Sequence, residues 1–249
     1  MLLELSAIHQ HVNARHALAD LTLTLPEAGW LVICGQNGAG KTLLMRILAG
    51  LDPPSAGQIR LLGQTFERFP AATLRTWRHQ LGVVLQGDSL LADLTVLENL
   101  WLPLRDEPQA RADLERAARL MIALFQLEGL EQHHPHELSL GQRRQVALAR
   151  ALVRKPALLL WDGLADGLDP ATLADCLRKL RAMRSRHGQP LALIATSNSA
   201  ALPVVGDYQV IALDRGRPLF SGSFTDLPAA LAQRPELSAV VGMPAGAAM

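Results

Sequence analysis

The chain has 249 residues, which is enough for one large α/β domain with a modest inserted subdomain. Its 24 Lys and Arg residues nearly balance 23 Asp and Glu residues, and the resulting net charge of +1 argues against nucleic acid as a partner. Hydrophobic residues make up 49% of the chain, yet the longest apolar runs are no longer than strands, far below the roughly 20 residues of a membrane helix.

The N-terminal segment has no pattern of an export signal. Residues 1–5 lack a basic region, a long apolar stretch and a cleavage site, so we expect the chain to stay in the cytoplasm. Cys34 and Cys176 are far apart in the sequence and in no metal-ligand spacing. We therefore expect both thiols to be reduced and buried.

Strand patterns come first along the chain. Residues 3–8 and 21–25 alternate apolar and polar side chains, which is the period-two pattern of half-buried antiparallel strands. Residues 30–34 then form a continuous apolar run, and helical spacing follows over residues 41–49 until Gly50 ends it. This order predicts a strand, a glycine-rich loop and a helix.

The loop between that strand and helix carries the most specific motif in the chain. It matches G-x-x-x-x-G-K-[ST] in full, with Gly35, Gln36, Asn37, Gly38, Ala39, Gly40, Lys41 and Thr42. The glycines let backbone N–H groups converge on phosphate oxygens at a helix N-terminus. Lys41 supplies a point charge for the β- and γ-phosphates of ATP, and the Thr42 hydroxyl is suited to Mg²⁺. A plain strand-to-helix turn is the alternative, which the complete motif in this context disfavours.

Strand signals vanish between about residues 86 and 155. Helical spacing replaces them and places Leu114, Ala118, Met121 and Phe125 on one face. We therefore predict an inserted helical subdomain at about residues 86–155.

Strand signals resume at residues 157–161, 191–195 and 208–213, and residues 171–186 have the pattern of a helix. Parallel strands joined by crossover helices have this order. We predict an α/β fold with a P-loop NTPase core: a mainly parallel sheet, an N-terminal antiparallel β-layer and an inserted α-helical subdomain, all within one domain at residues 1–234. Residues 235–249 carry no periodic signal and are predicted to form a flexible tail.

Asp162 follows the apolar strand at residues 157–161. A carboxylate at the end of a buried strand is the group that would complete the Mg²⁺ site beside the phosphate loop. A solvated surface aspartate is the alternative. The sequence therefore predicts ATP and Mg²⁺ as ligands.

Residues 138–145 read Leu-Ser-Leu-Gly-Gln-Arg-Arg-Gln and precede an apolar-periodic stretch. With this segment, the phosphate loop and Asp162 in that order, the chain resembles the ATP-binding subunits of ABC transporters from residue 3 to about residue 227. The resemblance implies that Ser139, Gly141 and Gln142 belong to the signature that meets the γ-phosphate bound by a second ATP-binding subunit. The Ser139 hydroxyl is also suited to cap the helix that follows. Leu140 stands where the family usually has glycine, which would narrow the approach of that phosphate.

The same resemblance implies further roles. Gln86 would touch Mg²⁺ or the attacking water and link the site to a membrane permease, and Asp169 would lie at the dimer interface. Residues 90–100 are similar to the segment of the family that contacts the permease. They also faintly resemble subunits of lipid or lipoprotein transport and export systems. An amphipathic surface loop is the alternative. The aromatic platform for adenine would fall near His11 or Val12, where the chain has no Phe or Tyr.

Two positions depart from the family pattern. Gly163 stands where the family has the glutamate that activates water, and Ser197 replaces a histidine that contacts the γ-phosphate. Loss of a general base costs about 10² to 10⁴ in rate, or roughly 3 to 5 kcal/mol of barrier. Asp166 is the nearest spare carboxylate, but three residues further along a turn we expect it to point elsewhere. We also expect Gly163→Glu to raise hydrolysis.

These features support three hypotheses. The leading one is a transport subunit that acts as the degenerate half of a heterodimer and docks on a permease at the cytoplasmic face of the membrane. The second is a homodimeric ABC subunit with slow turnover, and the third is a non-transport ABC protein that uses ATP as a clamp. Small-molecule kinases and GTPases share the phosphate loop but lack the signature and the helical insertion.

Overall fold

Two sheets and their connecting helices make up the computed structural model, which describes residues 1–12, 15–66, 71–87, 89–105, 110–203 and 206–243. The strands are Leu3–Val12 (β1), Arg15–Leu25 (β2), Trp30–Cys34 (β3), Ala56–Leu61 (β4), Gln64–Phe66 (β5), Leu81–Val84 (β6), Leu158–Trp161 (β7), Ala192–Ser197 (β8), Gln209–Asp214 (β9) and Arg217–Ser223 (β10). The helices are Lys41–Leu48 (α1), Ala71–Gln80 (α2), Val96–Trp101 (α3), Arg111–Leu124 (α4), Leu140–Leu152 (α5), Pro170–Ala182 (α6), Leu227–Gln233 (α7) and Leu237–Val241 (α8).

The larger sheet has the strand order β10-β9-β3-β8-β7-β6. Neighbours from β9 to β6 are parallel, and β10 is an antiparallel edge strand. All residues of β3 and β7 are buried, which explains why both strands read as continuous apolar runs. The carboxyl ends of β3, β8, β7 and β6 meet at one edge of the sheet, where open α/β sheets bind their ligands. The predicted α/β fold with a mainly parallel sheet is confirmed.

The smaller sheet is antiparallel, with the order β2-β1-β4-β5. Leu3 lies opposite Leu25 in the β1–β2 pair, so the predicted N-terminal β-layer is confirmed. The sequence did not predict β4 and β5, which complete this sheet by pairing with β1 and with each other. The buried side chains of this layer pack with α1 and one face of the larger sheet in a shared apolar cluster.

Helices α3, α4 and α5 occupy the predicted helical region, and the described part of residues 86–155 contains no strand. Leu114, Ala118 and Met121 are buried on α4, and Phe125 directly after it is fully buried, as their spacing predicts. This apolar face joins α4 and α5 to the core beneath the larger sheet. The helical insertion therefore carries the signature segment on a packed support.

Two predicted boundaries were wrong. Helix α6 ends at Ala182 rather than residue 186, because Met183 takes an extended conformation and Arg184 bridges to Pro190. Residues 237–241 form α8, where the sequence predicted no regular structure, and its apolar side chains are buried. Five residues are too few for a helical period to be recognised. Residues 244–249 of the predicted tail lie outside the described residues. Among the described helices, none is long and apolar enough to cross a bilayer.

Candidate functional site

A pocket opens at the carboxyl edge of the larger sheet. It is lined by most of the phosphate loop, by Gln86 after β6, by Asp162 and Gly163 after β7, and by Ser197 at the end of β8. Four stretches that are distant in the sequence therefore meet here. Gly35 is not among the described lining residues, and its carbonyl oxygen accepts a hydrogen bond from Lys41.

The phosphate loop turns directly into α1. Gly40 caps this helix with a left-handed φ of 101°, which a residue with a Cβ rarely adopts. The Lys41 ammonium donates to the carbonyl oxygens of Gly35 at 2.5 Å and Gln36 at 3.1 Å. Burial lowers the pKa of Lys41 from its ordinary value, while Cys34, Asp162 and Asp166 act in the opposite direction. The loop thus combines an ammonium group with a helix N-terminus, as phosphate binding requires.

Asp162 is buried at the floor of the pocket. Its Oδ1 accepts a hydrogen bond from Thr196 Oγ1 at 2.5 Å, whereas no described group donates to its buried Oδ2. A buried carboxylate oxygen without a donor fits a hard cation, so Thr42, Asp162 and Gln86 are the side chains that would hold Mg²⁺. When bound, Mg²⁺ would neutralise charge on the transferred phosphate.

Thr196 is a site residue that the sequence reasoning missed. Its hydroxyl donates to Asp162 and accepts from the Gly163 N–H at 2.8 Å, which locks the end of β7 to the end of β8. The sequence signal that could have identified Thr196 is its place as the first polar residue after the apolar run of β8.

Ser197 lines the pocket, and its hydroxyl group is engaged within its own segment. Its Oγ accepts a hydrogen bond from the backbone N–H of Ser199 at 3.0 Å. The next residue reaches the loop instead, since Asn198 Oδ1 accepts from Lys41 Nζ at 3.2 Å. Asn198 is a further site residue that the sequence did not predict, since its partner Lys41 lies 157 positions earlier in the chain.

The expectation that Asp166 points away from the site was wrong. Asp166 lines the pocket, and its Oδ2 accepts a hydrogen bond from Gln86 Nε2 at 3.1 Å. The turn that follows β7 folds back over Gly163, because the Asp166 N–H donates to the Gly163 carbonyl oxygen at 3.0 Å. Because the turn closes over three residues, the Asp166 carboxylate lies beside Gly163 and does not point away from the site.

Arg144 ties this region to α5. Its side chain is only 8% exposed, and its Nη1 donates to the carbonyl oxygens of Leu85 at 3.2 Å and Gly87 at 3.1 Å. These two residues flank Gln86, so the guanidinium fixes the backbone that presents the glutamine. The sequence reasoning overlooked Arg144 because a charged residue on a helix is normally solvated.

The signature residues lie outside the described lining of the pocket. Ser139 caps α5 as predicted: its Oγ accepts from the Gln142 N–H at 3.2 Å, and Gln142 Oε1 accepts from the Ser139 N–H at 2.8 Å. Gly141 occupies the first turn of α5. Leu140 is 49% exposed and packs on Gly167, which has no side chain to oppose it.

Asp169 is exposed and lies outside the described lining of the pocket. It caps α6 by accepting hydrogen bonds from the backbone N–H groups of Ala171 and Thr172, both at 3.0 Å. The Thr172 hydroxyl is the main reason that the pKa of Asp169 lies below its ordinary value. His11 is exposed on β1, also away from the described lining, whereas the side chain of Val12 lies outside the described residues.

Both cysteines are free and buried, as the sequence predicts. Burial raises the pKa of Cys34 to about 12 and that of Cys176 to about 11. The thiolate is the reactive form, so each thiol is almost wholly protonated and inert at pH 8. We expect the native protein to release almost no thionitrobenzoate from Ellman's reagent in minutes, and the guanidinium-unfolded protein to react at both cysteines. Rapid reaction of a native thiol would contradict this burial.

Comparison with known proteins places these features in a family. The family model for "ABC transporter" matches residues 18–164, which is more than half of the chain. The chain belongs to the ABC transporter family. Its matched region contains the phosphate loop, Gln86, the signature and Asp162.

Several relatives in this ABC family are ATP-binding proteins of transport systems. The lipoprotein-releasing system ATP-binding protein LolD of Chromohalobacter salexigens is 36% identical over 201 residues, which cover 80% of this chain and 84% of the relative. The methionine import ATP-binding protein MetN 1 of Burkholderia ambifaria is 34% identical over 85% of this chain, and the match spans 61% of that longer protein.

Solved ABC structures have the same fold. An ATP-binding subunit of an ABC transporter superposes with a TM-score of 0.78 at 25% identity, covering 94% of this chain and 95% of that one. The dimeric ATP-binding cassette MJ0796 bound to ADP and Pi superposes with a TM-score of 0.80 at 24% identity, covering 89% of this chain and 98% of that one.

Proposed function

We propose that this chain is the ATP-binding subunit of an ABC transporter, which couples the binding of Mg-ATP, and its hydrolysis at a composite site with a second subunit, to transport by a membrane permease. The phosphate loop with Lys41 would hold the β- and γ-phosphates. The Oδ2 atom of Asp162, which no described group donates to, supports a Mg²⁺ ion beside them.

The position of Ser139 is the observation that carries the proposal. This exposed serine caps the N-terminus of α5 and lies outside the described lining of its own pocket. A capped helix N-terminus is a favourable place for an anion, and here it is directed outside the chain's own site. In our proposal it contacts, together with Gly141 and Gln142, the γ-phosphate held by a second ATP-binding subunit, and Asp169 lies at that interface.

The chain's own site is proposed to be degenerate. Gly163 has no side chain to activate water, and the Ser197 hydroxyl accepts a hydrogen bond from its own backbone segment. Both features favour a heterodimer in which the other subunit carries the complete set of catalytic groups. On this proposal the present chain contributes nucleotide binding and a signature to its partner, and hydrolysis at its own site is slow.

The permease is proposed to dock near residues 90–100, at the cytoplasmic face of the membrane, which would make this chain a peripheral membrane protein. Asn99 is fully buried there and fixes the loop by hydrogen bonds with the backbone N–H and carbonyl groups of Leu91 at 2.9 and 3.1 Å. The Leu91 side chain itself is 46% exposed, so a rigid loop presents an apolar group.

Affinity capture from native membranes tests the proposal directly. We expect the tagged full-length chain to retain a multispanning membrane protein after mild detergent extraction, and the mass of the complex to give the number and identity of ATP-binding subunits. A different ATP-binding subunit in the complex supports the heterodimer, whereas two copies of this chain identify the slow homodimer. A chain that binds Mg-ATP but retains no membrane protein would instead support the regulatory clamp.

A further inference from the structure

The carboxylate of Asp166 occupies the volume that a side chain at position 163 would need. Gly163 has a φ of 75°, and a Cβ atom built on it would overlap Asp166 Oδ2 and lie 2.8 Å from Asp166 Cγ. The Asp166 N–H donates to the Gly163 carbonyl oxygen at 3.0 Å and closes the turn that brings the two together. A negatively charged group is therefore present beside Gly163, although it belongs to a residue three positions later.

This carboxylate is held from two sides. Gln86 Nε2 donates to Asp166 Oδ2 at 3.1 Å, and Arg144 Nη2 lies 3.9 Å from the same oxygen. Arg144 is itself anchored on the backbone carbonyl groups of Leu85 and Gly87, so the contact joins the segment around Gln86 to the turn after β7.

Water can reach the group. The side chain of Asp166 is 41% exposed, and it lines the same pocket as Lys41 and Asp162. Asp162 is buried and hydrogen-bonded to Thr196, so the two carboxylates have different surroundings.

We propose that Asp166 replaces the missing acidic side chain at position 163 and is a catalytic residue for the hydrolysis that this chain retains. The inference rests on the proposed function, because it assigns a role within the proposed Mg-ATP site. Asp166 accepts a hydrogen bond from the attacking water and orients its oxygen toward the γ-phosphorus.

In this step the water oxygen forms a bond to the γ-phosphorus. The bond from that phosphorus to the β–γ bridging oxygen breaks, and its electron pair remains on ADP. The water proton passes to an oxygen of the released phosphate, so ATP and water yield ADP and inorganic phosphate. Gln86 and Arg144 act as positioning residues, since they hold the carboxylate without replacing it.

Substitution at Asp166 in the full-length chain tests the inference. We expect Asp166→Ala to lower kcat for ATP by about 10²-fold, and Asp166→Asn to lower it less, because the amide oxygen still accepts a hydrogen bond but carries no charge. We expect KM to change much less than kcat.

Two further variants calibrate the measurement. Lys41→Ala gives the background from contaminating ATPases, and Asp113→Ala removes an exposed carboxylate of α4 that lies outside the described lining of the pocket. We expect Asp113→Ala to keep the turnover of the unchanged chain.

The outcomes separate the inference from the proposed function. If Mg-ATP binds normally and Asp166→Ala keeps the kcat of the unchanged chain, the assignment of Asp166 is wrong while the proposed function stands. Turnover of the unchanged chain no faster than that of Lys41→Ala also overturns the assignment. Failure of the unchanged chain to bind Mg-ATP would overturn the proposed function and the assignment together.

Discussion

Replacing Lys41 with alanine is expected to weaken Mg-ATP binding by about 10² to 10⁴-fold. The ammonium group lies at the start of α1 and donates hydrogen bonds to two loop carbonyl oxygens and to Asn198. We expect it to exchange these acceptors for phosphate oxygens when ATP binds. Two charge-assisted hydrogen bonds to phosphate contribute about 1.5 to 3 kcal/mol each, and the alanine side chain replaces neither. Isothermal titration calorimetry with Mg-ATP measures the change.

Lys155→Ala is the matched control for this experiment. It removes the same charge from an exposed residue outside the described lining of the pocket, so the affinity for Mg-ATP should remain close to that of the unchanged chain. Equal losses in the two variants would show that net charge, rather than the phosphate loop, governs binding. Circular dichroism confirms that both variants are folded.

Gly163→Glu is expected to lower stability without accelerating hydrolysis, which revises the expectation from sequence alone. The new Cβ would collide with the Asp166 carboxylate on a backbone with a φ of 75°. The left-handed backbone costs about 1 to 2 kcal/mol, and the collision and charge repulsion add to it. For a domain of this size that strain alone lowers the melting temperature by roughly 2 to 8 °C.

The double variant with Asp166→Ala separates these effects. Removing the carboxylate clears the space, so we expect Gly163→Glu to raise kcat at least about tenfold in the Asp166→Ala background, where it supplies a carboxylate in place of the one removed. Gly163→Ala introduces the collision without a new charge. We expect it to lower stability and to leave the rate of hydrolysis unchanged. A Gly163→Glu single variant that hydrolyses ATP faster than the unchanged chain would show that Asp166 does not hold this position.

Local motifs make part of this site predictable from sequence. The phosphate loop and the cap of α5 by Ser139 each depend on residues a few positions apart, so spacing alone determines their geometry. The apolar runs of β3 and β7 likewise place Asp162 at the end of a buried strand. Strand β4 escaped prediction because its pairing with β1 is a long-range contact, and β5 pairs with β4 alone.

The polar contacts across the pocket were not predictable in this way. Asn198 meets Lys41, and Arg144 meets the backbone around Gln86, over separations of 157 residues and nearly 60 residues respectively. The direction of Asp166 depends on the turn closed by its own backbone N–H, and counting residues along the chain gave the wrong direction. In each case the backbone path between elements decides the contact.

The convergence of four strand ends has a thermodynamic consequence. Segments that follow β3, β6 and β7, together with the end of β8, line the pocket, so affinity for nucleotide depends on the assembled sheet. By linkage, ligand at a hundred times its Kd raises the free energy of unfolding by about 2.7 kcal/mol. Bound ATP therefore opposes separation of strands that it does not touch, and the stability of the parallel sheet depends on whether the pocket holds nucleotide.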